Sequence, residues 1–150
     1  MSIIFSRGCE YALQAMIYLA VQPSDTPVFQ REISEALNIP PHYLGKVLQS
    51  LSRSRLVISQ KGKAGGFMLG KPPKSITPLD IIQAVDGPVF FDDCILGFAD
   101  CSDEEPCPVH SQWKKVKQQF ILMLQNKNIH QLSQELDSKL ISIKKLLSNR

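Results

Sequence analysis

The sequence predicts a mainly α-helical fold that carries one short β-hairpin and ends in long helices. Three observations predict it. Apolar residues recur at three- and four-residue intervals along most of the chain, the period of helices with one buried face. A single pair of short β-prone runs, Leu56–Ser59 and Gly66–Leu69, brackets a glycine-rich turn. From Ile129 through Leu132, Leu136, Leu140, Ile143 and Leu147 the apolar spacing is sustained to the C-terminus. With 150 residues, 43% of them hydrophobic and 21% charged, the chain is globular and large enough to bury one core.

The first helix is expected from about Arg7 to Val21, with Ala12, Ala15, Met16, Leu19 and Ala20 on its apolar side. Pro23-Ser24-Asp25-Thr26-Pro27 then forces a turn. A short helix over Gln30 to Leu37 buries Ile33, Ala36 and Leu37 and is broken by Asn38-Ile39-Pro40-Pro41. The third starts on a proline, which suits a first turn, and runs to about Ser54 with Leu44, Val47, Leu48 and Leu51 inward. Thr77-Pro78-Leu79-Asp80 opens a fourth, in which Thr77 caps, Pro78 occupies the first position and Asp80 meets the positive helix end. Val89 to Pro106 shows no period and reads as a loop. A long helix begins near Pro108, with Trp113, Val116, Phe120 and Met123 on one side and Ile121, Leu122 and Leu124 widening that surface. The stripe beginning at Ile129 suits packing against a partner helix, and a homodimer is the economical reading; a helix folded back on its own domain is the other.

Charge divides the same chain differently. Residues 1–74 hold nine Lys/Arg against four Asp/Glu, residues 75–112 none against eight, and residues 113–150 eight against two. A basic first half fits a polyanionic partner, and the acidic middle would repel one. No apolar run is long enough for a membrane span, and the N-terminus lacks the pattern of a secretory signal, so a cytoplasmic location is expected. No nucleophile–base pair or phosphate-cradling loop is found, so no enzymatic activity is expected.

Two short helices joined by a tight turn form a helix-turn-helix pattern. On the second, His42, Gly45, Lys46, Gln49 and Arg53 lie opposite the leucines; lysine can address guanine, glutamine can pair with adenine, and either cation can hold phosphate. A merely solvated face would look similar. The hairpin that follows, Gln60-Lys61-Gly62-Lys63-Ala64-Gly65 at its tip, tilts the reading towards DNA, because two lysines on a glycine-rich hairpin form a wing able to reach a minor groove or phosphates.

The acidic loop holds Cys94-x6-Cys101-x5-Cys107-x2-His110, whereas Cys9 reads as a small packed residue of the first helix. In a reducing compartment such a set points to a metal or iron–sulfur site rather than a disulfide framework. By spacing alone, iron–sulfur and structural zinc stand level, since neither a zinc knuckle nor a ferredoxin pattern is present.

Several of these stretches together carry a resemblance. From Ser6-Arg7-Gly8-Cys9-Glu10-Tyr11-Ala12-Leu13, through Pro41-His42-Tyr43-Leu44, Lys61-Gly62-Lys63-Ala64-Gly65-Gly66-Phe67, Ile82-Gln83-Ala84-Val85-Asp86 and the Cys/His loop to Trp113, the chain resembles the Rrf-type winged-helix transcription regulators, the family of the IscR-like and NsrR-like iron–sulfur sensors. The resemblance covers about residues 1–125 in order. It implies a dimeric DNA-binding regulator, often a repressor, with a winged helix-turn-helix over 1–88, a cluster-binding loop over 89–107 and dimerisation helices over 108–150. It makes Cys94, Cys101 and Cys107 thiolate ligands and places His110 at the imidazole ligand position; in some members an acidic residue of the other subunit serves instead, and Glu10 stands at or near that place. Three thiolates with an imidazole favour a 2Fe-2S cluster, and a carboxylate in its stead admits 4Fe-4S. The expected inputs are redox state, nitric oxide or iron–sulfur status. The DNA-binding candidates are His42, Tyr43, Lys46, Gln49, Arg53, Lys61 and Lys63. Two departures stand out. The first cysteine spacing is one residue longer than usual, and Gly45 replaces a glutamate that tunes base choice in IscR-like members, which implies a different operator preference. The competing readings are the same fold with structural zinc or no cluster, and an iron–sulfur electron-transfer protein that binds no DNA.

Overall fold

The structure, a computed structural model, describes residues 4–88 and 92–136. Helix α1, Arg7–Ala20, opens on Ser6, whose hydroxyl accepts a hydrogen bond from the Cys9 N–H at 3.1 Å. The Ser6 N–H and hydroxyl both donate to the Asp86 carboxylate, tying this cap to the far end of the fourth helix. Cys9, Ala12, Ala15, Met16 and Leu19 form the buried face of α1.

Helix α2, Gln30–Leu37, has the predicted bounds. Its inner face differs from expectation: Ile33 and Ser34 are buried, whereas Ala36 and Leu37 are only half-buried. Ser34 is tolerated there because its hydroxyl donates to the Ile39 carbonyl at 2.6 Å, which also closes the turn. Asn38 supplies the left-handed step at φ 54° that ends the helix, so the chain re-enters helix α3, Pro41–Arg53, almost at once. Leu44, Val47, Leu48 and Leu51 of α3 are buried, as their spacing requires. Each such side chain contributes about 1.5–3 kcal/mol by leaving water.

The hairpin pairs β1, Val57–Gln60, with β2, Gly66–Leu69, in register from Val57–Leu69 to Gln60–Gly66. Val28, just before α2, pairs with Phe67 through hydrogen bonds of 2.9 and 2.7 Å and anchors the wing to the helix-turn-helix. Gly66 makes that approach possible: its φ is 138°, and a Cβ there would lie 2.5 Å from the Val28 carbonyl oxygen. After a 3-10 turn at Pro73–Ser75, helix α4, Pro78–Val85, begins with the reciprocal Thr77–Asp80 cap that its sequence announces.

Helix α5 starts at His110 and ends at Gln125, and a further helical stretch runs over 129–136. Here the expected apolar stripe splits. Phe120, Ile121 and Leu124 pack on Cys9, Leu79 and Ile82 of α1 and α4, and Phe5 stacks on Phe120 with ring centroids 5.8 Å apart. Val116 and Met123 point outward, 54% and 59% exposed. Ile129, the expected first residue of the partner-facing stripe, is instead fully buried in the chain's own core, and its N–H donates to the Ile76 carbonyl at 2.8 Å. The short break at 126–128 turns the chain back onto the α4 side, so residue 129 meets its own domain first. Leu140, Ile143 and Leu147 lie outside the described residues. Among the described residues, no helix is long and apolar enough to cross a membrane.

Candidate functional site

Two surfaces gather the chemistry-bearing residues. The first is a groove of about 740 Å³ between the outer face of α3 and the wing, lined in part by His42, Lys46, Gln49 and Arg53. Burying the leucines of α3 leaves these side chains on the opposite face, and the hairpin closes the far wall with Ser59 and Phe67. Tyr43 stands beside the groove, packed edge-on to Tyr11 at 6.2 Å and against the His42 ring at 4.7 Å. Lys61 and Lys63 are exposed at the hairpin tip, where Gly65 donates to the Gly62 carbonyl at 3.0 Å to hold a tight turn. Sequence reasoning missed Ser52, Ser59 and Gln30 of the groove; Gln30, read as the start of α2, turns its amide towards α3 and donates to the Pro41 carbonyl at 2.9 Å. A polar residue at a helix start carries no signal of that contact.

The second surface is the cysteine loop. Cys94, Cys101 and Cys107 bring their sulfurs within 4.8 Å of one another, with Cys94 and Cys107 only 3.7 Å apart. Turns place them: Gly97 at φ 80° returns the chain so that its N–H meets the Cys94 carbonyl at 2.9 Å, and the Cys107 N–H points at the Cys101 sulfur at 3.5 Å. His110, at the first position of α5, adjoins this group through Cys101, with Nδ1 3.2 Å from that sulfur. Its Nε2 lies 2.8 Å from the Asp103 carboxylate, which Lys114 also grips at 2.8 and 2.9 Å. Trp113 fastens the loop from the other side by donating its indole N–H to the Asp93 carbonyl at 3.0 Å. Glu10 lies in the first turn of α1 and is not part of the cysteine group within this chain.

The electrostatics separate Cys9, Cys94 and Cys101. Partial burial opposes ionisation of Cys94, yet the backbone N–H groups of Phe98 and Leu96 and the neighbouring thiols outweigh it and bring this thiol from 9.0 down to about 7. Cys101 moves upward: the Cys107 N–H favours its thiolate, but burial and the Cys107 and Cys94 thiols prevail. The Lys114 ammonium first, then His110, holds Asp103 down at about 2. Cys9 is the contrast, pushed up to about 12 by burial and then by Asp86.

This donor set fits a thiophilic metal group. Two sulfurs on one tetrahedral metal with bonds of about 2.3 Å lie about 3.8 Å apart, close to the 3.7 Å between Cys94 and Cys107. The ligand candidates fall into two pairs, Cys94 with Cys107 and Cys101 with His110, an arrangement that a two-iron centre can use. Helix α5 begins only at His110, and the thiol drawn down is Cys94, by loop N–H groups.

A family model described as an iron-dependent transcriptional regulator, Rrf2, matches residues 5–135. The chain belongs to the Rrf2 family. Relatives agree with the assignment. A candidate helix-turn-helix transcriptional regulator of Aquifex aeolicus is 39% identical over 120 residues, covering 79% of this chain and 83% of that protein. The transcriptional regulator IscR of Klebsiella pneumoniae is 32% identical over 127 residues, covering 85% and 77%. Among solved structures, CymR, the global cysteine regulator of B. subtilis, superposes with a TM-score of 0.75 at 25% identity over 89% of this chain and 98% of that one. IscR of T. potens gives 0.69 at 27% identity over 92% and 90%. The winged helix of the Rrf2 regulators is therefore the fold of this chain, which is a transcriptional regulator of that family.

Proposed function

We propose that this Rrf2 regulator is a sequence-specific DNA-binding homodimer, acting as a repressor, whose DNA affinity follows the state of an iron–sulfur cluster held by Cys94, Cys101, Cys107 and His110. The observation that carries the reading is the convergence of three thiols, spread over fourteen residues of an otherwise irregular loop, within 4.8 Å at the head of α5. When bound, such a cluster supplies a redox-active centre open to oxygen and nitric oxide. DNA contact belongs to His42, Tyr43, Lys46, Gln49 and Arg53 on and beside α3 and to Lys61 and Lys63 on the wing. The exposed Val116, Leu122 and Met123 of α5 offer the second subunit an apolar face.

Coupling runs through packed elements of this chain. The loop is tied to α5 by Trp113 and His110; α5 rests on α1 and α4 through Phe120 and Leu124; α1 and α4 in turn pack on α3. Release of the loop from its ligands would loosen the head of α5 and shift the recognition helices of the two subunits relative to one another. His110 would suit a labile ligand, because a neutral imidazole is held less tightly than an anionic thiolate.

The test is anaerobic purification with visible absorption and iron, sulfide and zinc analysis, followed by DNA-binding assays before and after cluster loss. A coloured protein with matching iron and sulfide, and a change in DNA affinity on cluster loss, is the expected result. A colourless protein holding one zinc per chain sinks the sensor reading and leaves a zinc-stabilised regulator.

A further inference from the structure

Gly45 occupies the centre of the exposed face of α3, between His42 and Gln49, and its bare backbone leaves a gap there. The gap is filled from another helix. A Cβ at position 45 would find Gln30 Nε2 at 3.3 Å and Oε1 at 4.0 Å, so the Gln30 carboxamide lies over the glycine. Gln30 is the first residue of α2, and its amide is tethered across the helix-turn-helix by donation to the Pro41 carbonyl at 2.9 Å. Its half-buried side chain lines the same groove as Lys46 and Gln49.

We infer that Gln30 is a specificity-determining residue of the DNA interface, reading an adenine of each half-site from the place that Gly45 vacates. The inference rests on the DNA-binding reading above and deepens it. A carboxamide has two N–H bonds and one carbonyl. Donation to Pro41 uses one N–H; the other N–H and Oε1 remain as a donor–acceptor edge, the pair that glutamine presents to adenine N7 and N6 in the major groove. The tether holds that edge in place before DNA arrives, so little rotamer freedom is lost on binding. Gly45 is then a working part of the surface: a Cβ there would press on the amide at 3.3 Å and push it out of its seat by a few tenths of an ångström.

Selection of bound sequences from a random duplex pool, with the full-length chain prepared anaerobically, tests this. The wild type is expected to select a two-fold symmetric site. Gln30→Ala should keep that site but lose adenine preference at one symmetric pair of positions by about tenfold or more. Gln30→Glu, which keeps the side chain's size but loses both the donor to DNA and the tether to the Pro41 carbonyl, should abolish the adenine preference there and favour cytosine in its place. Gly45→Ala should relax the same positions by crowding the amide. An unchanged site for Gln30→Ala, or equal weakening on all sequences with a lower melting temperature and the Gln30→Glu site unaltered, overturns the inference and leaves DNA binding intact. A wild-type chain that selects no sequence overturns the DNA reading and this inference with it.

Discussion

The winged helix and the cysteine loop are held in place by opposite means. In the winged helix the backbone is positioned by fully buried side chains such as Met16, Ile33, Leu48 and Ile81, and Lys46, Gln49 and Arg53 ride on the outer face of that scaffold. In the loop the apolar residues Ile95, Leu96 and Phe98 face solvent, and placement rests on turns and on polar contacts among the thiols, His110, Asp103 and Lys114. A surface that must present a constant edge to DNA is built on packing, which changes little with conditions. The loop is held by thiol contacts and ion pairs, which depend on protonation and on whatever the thiols bind. On the proposed function, the reading half is stiff and the input half conditional.

The largest effect is expected from attacking the stiff half. Leu48→Ala in the core should cost about 2–5 kcal/mol in denaturant unfolding, whereas Phe98→Ala, 59% exposed in the loop, should stay within about 0.5 kcal/mol; similar costs for the two would erase the distinction. Next in size is Asp103→Asn. Asp103 takes a hydrogen bond from His110 Nε2 and so leaves Nδ1 directed at Cys101. Its loss should weaken metal or cluster retention about 10–100-fold while DNA affinity of whatever fraction stays loaded is unchanged.

Thiol chemistry draws the same line by pH. In metal-free protein the lowered Cys94 thiol is about half ionised near pH 7, so alkylation should be appreciable there and level off above it. Cys9, raised to about 12, is protected in the folded state and should react only with denaturant. The sign for stability follows: the folded chain holds the Cys9 proton more tightly than the unfolded chain, so its contribution is complete below pH 9 and fades as pH climbs towards 12. Equal labelling of Cys9 and Cys94 at pH 7 would contradict the comparison. On the DNA side, Lys61→Ala at the exposed wing tip should weaken binding evenly across sequences and lower the salt slope by about 1, without altering metal content. The smallest change is Thr77→Ala, which removes the cap of α4 and should cost about 1 kcal/mol, with the winged helix still able to bind DNA.

Much of this organisation is written in local residue patterns. Proline, glycine and asparagine interrupt apolar periods so sharply that the bounds of α2 and β2 are read directly, and the four aliphatic residues of α3 identify both its buried side and, by opposition, its outer face. The Cys/His loop stands out in the sequence because three thiols and an imidazole fall within seventeen residues, and the structure brings the three sulfurs within 4.8 Å. By contrast, α5 carries apolar residues on more than one side, so spacing could not say which of Val116, Phe120, Met123 and Leu124 faces inward. Ile129 carries the period of an exposed stripe and is nevertheless buried, because the break at 126–128 redirects the chain. The pairing of Cys94 with Cys107 and of Cys101 with His110 depends on turns within an aperiodic loop.

By itself the sequence determined the element order, the family, the buried and outer faces of α3 and the clustering of three cysteines in one loop, because each of these is carried by residue patterns along the chain. Only the tertiary structure decided that Phe120 and Leu124 turn inward, that Asp103 backs His110, and that Gln30 fills the space over Gly45. Those are contacts between elements, and they follow from how α2, α3, α4 and α5 pack in three dimensions, which no local period encodes.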